Sequence, residues 1–424
     1  MPPANKLAIN TPAFWDEQSL LAEERRQFDV CHGCRLCWNF CPAFPELFDR
    51  TDAVDGEMRK LTRETLRPVE DLCYQCKLCH IRCPYTSPHD YDLDIPRLFL
   101  RAKLVNAKND GVKLQDRLLG DTDLVGMAGS LTAPLANLGN STKPVRIVLE
   151  KTLGIHRNAT LPKFHAQTFS AWFKRHGKAA NARVSKATRK VALFTTCTVN
   201  FNDPPTGIAC VDVLTHNNVE VLLPKQQCCG MPFLDGGALE QAMAKIKANT
   251  ASLADVVRQG YDIVVPGPTC SYTIKKEYPL LEETEDARLV SAHTFDISEY
   301  LWKLKIAGAL RTDFRHRLGK VAYHAPCHLR AQHVGAKAAG LMELVPGTEV
   351  EQIERCSAHD GSWGVKAASH EVSLRYGEKL FNAMADADAT LWASDCPLSA
   401  IHILHATGRK PVHPMQLLKT AYGI

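Results

Sequence analysis

Short apolar runs alternate with longer helical patterns through the second half of this chain. Val191-Ala-Leu-Phe, Val219-Glu-Val-Leu-Leu and Asp262-Ile-Val-Val each fit a strand, as do Val321-Ala-Tyr-His, Val350-Glu-Gln-Ile and the stretch Asp388-Ala-Thr-Leu-Trp-Ala. Between them, Leu239–Val257 and roughly 370–385 carry helical spacing. Strands alternating with helices predict α/β architecture with a parallel sheet. The first hundred residues read differently. Segments 57–67 and 96–108, the latter with Leu98, Leu100 and Leu104, have helix-forming composition. The longest uncharged stretch, Leu124–Thr142, approaches a membrane span in length, but ten of its nineteen residues are Gly, Pro, Asn, Ser or Thr. A spanning helix needs about 20 mostly apolar residues. The expectation there is an irregular apolar flap and no transmembrane segment.

Cysteine placement changes the picture most. The chain has 424 residues and 16 cysteines, eight of them before residue 84. Met1 to Val30 carries scattered charge and no apolar run, so a cytoplasmic setting with reduced thiols is expected, and metal ligation is favoured over disulfides. Residues 31–42 and 73–84 each read C-x2-C-x2-C-x3-C-P, a run found in bacterial two-cluster ferredoxins. Three cysteines three residues apart wrap one face of an iron–sulfur cube, and the fourth lies too far along to close the same cube. It reaches the neighbouring one instead. This assigns Cys31, Cys34, Cys37 and Cys83 to one [4Fe–4S] cluster, and Cys41, Cys73, Cys76 and Cys79 to a second. A structural zinc site would show paired C-x2-C units with four ligands in total, which is not this pattern. Thirty-one residues separate Cys41 from Cys73, room for helices and so for a helical ferredoxin module.

Self-comparison of residues 191–424 finds one unit twice. The run ending at Cys197 matches the run ending at Cys327, Cys228-Cys229-Gly230 matches Cys356-Ser357-Ala358, and Cys270 matches Cys396. The separations 31 and 29, then 41 and 40, agree closely. Each cysteine follows a strand-like run, so the thiols should converge at carboxyl ends of parallel strands, where open α/β sheets bind ligands. The first unit offers four thiolates, Cys197, Cys228, Cys229 and Cys270, enough for a third [4Fe–4S] cluster. The second offers Cys327, Cys356 and Cys396, with Ser357 where a fourth would stand. That degenerate site is either empty or completed by His324, His328, His359 or Asp395. Cys210 lies outside the repeat and reads as a core thiol.

Hydrophobic residues at 45% and charged residues at 23% describe a globular chain with room for several domains. The net charge of +5 is unevenly spread: −4 over residues 1–100, +12 over 101–190 and −3 over 191–424. The basic block reads as a solvated helical linker, or as a surface for anionic headgroups or an acidic partner. Nucleic acid is not expected, since aromatics there are sparse (Phe164, Phe169, Trp172 and Phe173).

With these motifs in place, the chain resembles the family of the peripheral iron–sulfur subunit of anaerobic glycerol-3-phosphate dehydrogenase. More broadly it resembles the iron–sulfur subunit of glycolate oxidase and the cysteine-rich (Cys-Cys-Gly, CCG) domains of heterodisulfide reductase. The likeness extends to Asp121-Thr-Asp-Leu-Val-Gly-Met127, Lys143-Pro-Val-Arg146, Thr160-Leu-Pro-Lys163 and Tyr323-His-Ala-Pro-Cys-His328. It implies a peripheral electron-transfer subunit, with no substrate-oxidation site of its own, that takes electrons from a flavoprotein dehydrogenase partner towards membrane quinone. FAD would sit only on that partner, and no G-x-G-x-x-G run is present here. The expected fold is α+β and multidomain: a helical ferredoxin module over 1–105, a basic helical linker over 106–190, and two CCG domains, 191–316 and the degenerate 317–424. The alternative is a catalytic subunit that itself reduces a substrate such as a disulfide at the CCG site. The stretches Cys270-Ser-Tyr-Thr273 and Cys396-Pro-Leu-Ser399 lack the C-x-x-C ending of heterodisulfide reductase.

Overall fold

The computed structural model describes residues 7–185 and 189–424. Residues 1–6 of the expected ferredoxin module and 186–188 of the expected linker lie outside the described residues, and the linker's final Arg189 and Lys190 already belong to the first strand. Two small parallel sheets organise the second half. Strands β1 (Arg189–Leu193), β2 (Val219–Leu222), β3 (Asp262–Val265) and β4 (Thr294–Asp296) form one, in the order β2-β1-β3-β4. Strands β5 (Lys320–His324), β6 (Glu349–Ile353) and β7 (Leu391–Ser394) form the other, in the order β6-β5-β7. In each, the first strand lies central, with the second on one side and the third on the other. Val191 pairs with Val221 and Asp262, as Val321 pairs with Val350 and Leu391. Among the described residues the edge strand β4 has no counterpart in the second sheet.

The sheets share a core. Val191, Leu193 and Val264 of the first pack into one apolar cluster with Val321, Tyr323 and Ala393 of the second, bridged by Ile297, Leu301 and Met415. The opposite face of the first sheet, Ala192, Phe194, Ile263 and Val265, receives Leu100 and Leu104 from helix Ile95–Asp110. The N-terminal helices bury Leu20, Phe28, Phe48 and Phe99 with Ala358 and Trp363 of the second half. The helical module therefore touches both sheets' loops. Fully burying one such leucine or phenylalanine is worth about 1.5–3 kcal/mol.

Two local expectations change. The helix expected over 57–67 divides into a 3-10 turn, Met58–Lys60, and a helix, Arg63–Asp71. Thr62 resets the chain there by capping that helix reciprocally with Thr65. The stretch 124–142 is not irregular: it forms helices Thr122–Leu131 and Ala133–Ser141, followed by Lys143–Leu153. Its glycines serve packing. A Cβ at Gly126 would collide with the Phe201 ring, and one at Gly129 would collide with Phe164. Among the described residues no helix is long and apolar enough to cross a membrane.

Candidate metal centre

The two ferredoxin runs meet through unusual backbone. Helix Glu17–Cys34 ends with Arg35 in the left-handed region, its N–H donating to Cys31 O at 2.8 Å, so the chain turns back after Cys34 and carries Cys37 towards the other two. In the second run Gln75 and Lys77 both have positive φ, 51° and 64°, which curls the chain between Cys73 and Cys79. These thiols crowd in two sets. Burial pushes Cys31 up, aided by repulsion from Cys37, Cys83 and Cys34; burial with Cys83 and Cys34 pushes Cys37 up to about 12. Cys79 faces Cys41 and Cys73, and Cys76 faces Cys41. The last cysteine of each run thus lies with the first three of the other run. Phe40, Phe44, Ile95 and Phe99 wall the second set. Lys103 and Lys77 offset the burial of Cys73, with the Lys103 ammonium donating to Cys73 O at 2.7 Å.

In the first sheet unit, Cys197 opens the helix after β1, Cys228 and Cys229 follow β2, and Cys270 follows β3. Their sulfurs form a contact chain in the order Cys197, Cys228, Cys229, Cys270. Several supporting residues have no local signature as such, although the segment Asp121–Met127 belongs to the family likeness. Its Thr122 hydroxyl, buried without a hydrogen-bond partner, lies beside the Cys197 and Cys228 sulfurs and favours their ionised forms. Its Asp123 accepts the Cys228 N–H at 2.9 Å and pairs with Lys245 at 2.5 Å. Tyr278 donates to Cys229 O at 3.0 Å, and Asn249 to Cys228 O at 3.1 Å.

In the second unit Cys327, Cys356 and Cys396 again follow the three strands, and Cys327 faces the other two. Ser357 is engaged elsewhere, its hydroxyl 2.9 Å from that of Ser399. Three candidates for a fourth ligand are also engaged. His324 bonds Ser394 and Arg355 O, His328 bonds Thr269 and Gln75 O, and Asp395 accepts from Tyr323 and Ser298. His359 differs: buried at 5% exposure, its Nδ1 has no partner.

The second unit also abuts the helical module. The Cys76 and Cys356 sulfurs are neighbours, and Cys76, with the Ala358 N–H and the Tyr74 hydroxyl, lowers Cys356 to about 7 against burial. Tyr74 Oη lies 3.8 Å from Cys356 Sγ, and its ring packs 4.9 Å from Trp363, whose Nε1 donates to Asp71 O at 3.0 Å. A buried Glu277 from the first sheet unit faces Lys77 at 4.0 Å and Arg97 at 3.6 Å. The seven repeat cysteines of the sheet units, with Cys76 but without Cys210, line one cavity of about 440 Å³. Leu149, Leu153, Ile155, Leu161 and Phe164 of the connector form its apolar roof.

The donor set tests what such crowding can hold. Fifteen of the sixteen cysteines, all but Cys210 in the core, gather in these sets. Thiols this crowded and buried stay neutral unless a cationic core offsets the charge of their thiolates. Iron–sulfur clusters, bound by thiolates and dry surroundings, fit.

Thiol sets of this kind on a helical module and a parallel α/β unit define an iron–sulfur protein. Residues 24–109 match the citrate utilization protein B Fer4-like domain, and residues 191–275 match the cysteine-rich domain. The chain is 28% identical over 405 residues to a subunit of anaerobic glycerol-3-phosphate dehydrogenase from Escherichia coli (strain K12), covering 93% of this chain and 98% of the relative. It is 29% identical over 247 residues to a subunit of fumarate reductase (CoM/CoB) from Methanothermobacter marburgensis, 55% of this chain and 47% of that one. It is 27% identical over 245 residues to lactate utilization protein A of Exiguobacterium sp., 54% of this chain and 95% of that one. The chain is thus similar to subunits of dehydrogenase and reductase complexes.

Proposed function

We propose that the chain is the electron-relay subunit of a flavin-dependent dehydrogenase complex, passing electrons from a flavoprotein partner towards quinone. When bound, iron–sulfur clusters supply one-electron transfer. Cys31, Cys34, Cys37 and Cys83 would hold the first, Cys41, Cys73, Cys76 and Cys79 the second, and Cys197, Cys228, Cys229 and Cys270 a third. Residues 317–424 repeat the cysteine-rich unit in degenerate form, a reading supported by the matching strand order of the two sheets.

The observation that carries this reading is the meeting of the second ferredoxin run with the second unit: Tyr74 Oη lies 3.8 Å from Cys356 Sγ, and Cys76 and Cys356 line one cavity. The degenerate unit therefore adjoins the helical module, beside the route electrons would take from it. A membrane terminus is supported by the cavity's roof. The helices that build it leave Leu131, Leu135, Leu138 and Val148 exposed, among exposed Lys143 and Lys151, the apolar and basic mixture of an interfacial surface.

The test is anaerobic reconstitution with iron and sulfide. Visible absorbance should bleach with dithionite and return when a short-chain quinone is added. A colourless chain that takes up no iron refutes the relay. The cavity beside both thiol sets favours one second reading, reduction of a substrate within it. Turnover of a disulfide by the isolated chain with a chemical donor would support that instead.

A further inference from the structure

We propose that His156, His370 and Glu371 bind a divalent cation of the zinc class, which clips the connector to the second sheet unit and fixes the roof of the cysteine-lined cavity. The site uses none of the thiols and stands independently of the relay. His156 follows the connector helix Lys143–Leu153 directly, where Ile155 bridges to Lys366, and His370 and Glu371 open helix His370–Asp386. One ligand atom from each of the three lies within 4.8 Å of the other two. Tetrahedral zinc, with bonds of about 2.0–2.2 Å, draws such atoms to roughly 3.3 Å, so closure needs movement of at most about 1.5 Å.

His370 shows the site is prepared. It is 2% exposed, its Nδ1–H donates to Gly364 O at 2.9 Å, and its Nε2 is buried without a partner. A carbonyl on one ring nitrogen with the other left bare is how metal-binding histidines are oriented. Hydrogen bonding explains the first nitrogen and leaves the second unexplained. His156 Nε2 lies 3.7 Å from Glu371 and 3.8 Å from Glu150, which offers a further carboxylate. Its Nδ1 makes only a long 3.4 Å contact from the Asn158 N–H, which ligation through Nε2 would surrender. The two rings stack with centroids 4.2 Å apart, so they must swing to converge. Glu371 is exposed and free to follow, while Arg157 holds Glu150. Two imidazoles and a carboxylate suit zinc, not the oxygen-seeking calcium or magnesium.

The placement gives the cation its role. The connector is already tied here by His156 N–H to Val365 O at 2.8 Å, Ala367 N–H to Gly154 O at 2.7 Å, and Lys366 to Asp116 at 2.5 Å. Ile155, between these ties, lines the cavity.

Equilibrium dialysis of the reconstituted, EDTA-washed holoprotein against zinc chloride tests the site. The wild type should bind one zinc more than H156Q/H370Q at unchanged iron content, and zinc should slow amide exchange at residues 154–158 in the wild type alone. E371Q, altered only at an exposed side chain, should bind that zinc about tenfold more weakly and decides the matter if the double variant loses iron. Equal zinc uptake by the wild type and E371Q at every concentration, or none by either, overturns the site. Binding without added protection at 154–158 overturns the clip.

Discussion

Asp123 should hold the Cys228–Cys229 turn in place, and two substitutions separate its two tasks. Asp123→Ala strips the acceptor from the buried Cys228 N–H, an unsatisfied donor costing about 1–3 kcal/mol. It also leaves Lys245, 9% exposed, with only Asp121 at 3.7 Å. Because the Asp123 carboxylate is a third exposed, solvent screening limits that second loss to about 1 kcal/mol. The sum, about 2–4 kcal/mol, is roughly a 30- to 1000-fold faster local opening at 1.4 kcal/mol per decade. Asp123→Asn keeps an oxygen for the N–H and loses only the charge, so about 1 kcal/mol and a fivefold change are expected. Hydrogen exchange followed by mass spectrometry on a peptide spanning 226–236 reads both. Equal effects in the two variants would show that the Cys228 bond contributes nothing, and no effect in either would remove Asp123 from the site.

Acid should loosen the second sheet unit. Burial holds His324 and His402 near 4 and His413 near 3. The unfolded chain, with histidines near 6.5, then binds more protons as pH falls. Stability present above about pH 6.5 is lost towards pH 4 at about 1.4 kcal/mol per unit for each histidine. His413→Asn keeps a cap for the Met415 N–H, so urea midpoints at pH 7.5 and 5.5 should converge in that variant relative to wild type. Identical pH dependence would refute the burial argument. The connector should bind anionic vesicles at low salt and release them at higher salt. Leu131→Glu with Leu135→Glu should abolish that binding, and no binding by the wild type at low salt would remove the membrane from the proposal.

Local spacing and periodicity determined much of this protein from sequence alone. The period-two and apolar runs located β1 to β3 and β5 to β7, because a buried parallel strand cannot be built from polar residues. The cysteine runs marked which thiols the chain could bring together, because connectivity limits which sulfurs can reach one another. The glycines at 126 and 129 misled, since their reason is an aromatic ring arriving from elsewhere in the chain. Only the tertiary structure decided that Tyr74 meets Cys356, that Asp123 serves Cys228, and that His324, His328 and Asp395 are spoken for while His359 is not. Those facts belong to pairs tens to hundreds of residues apart. Their geometry is set by how the shared core docks the helical module on the two sheets, and no local pattern carries that information.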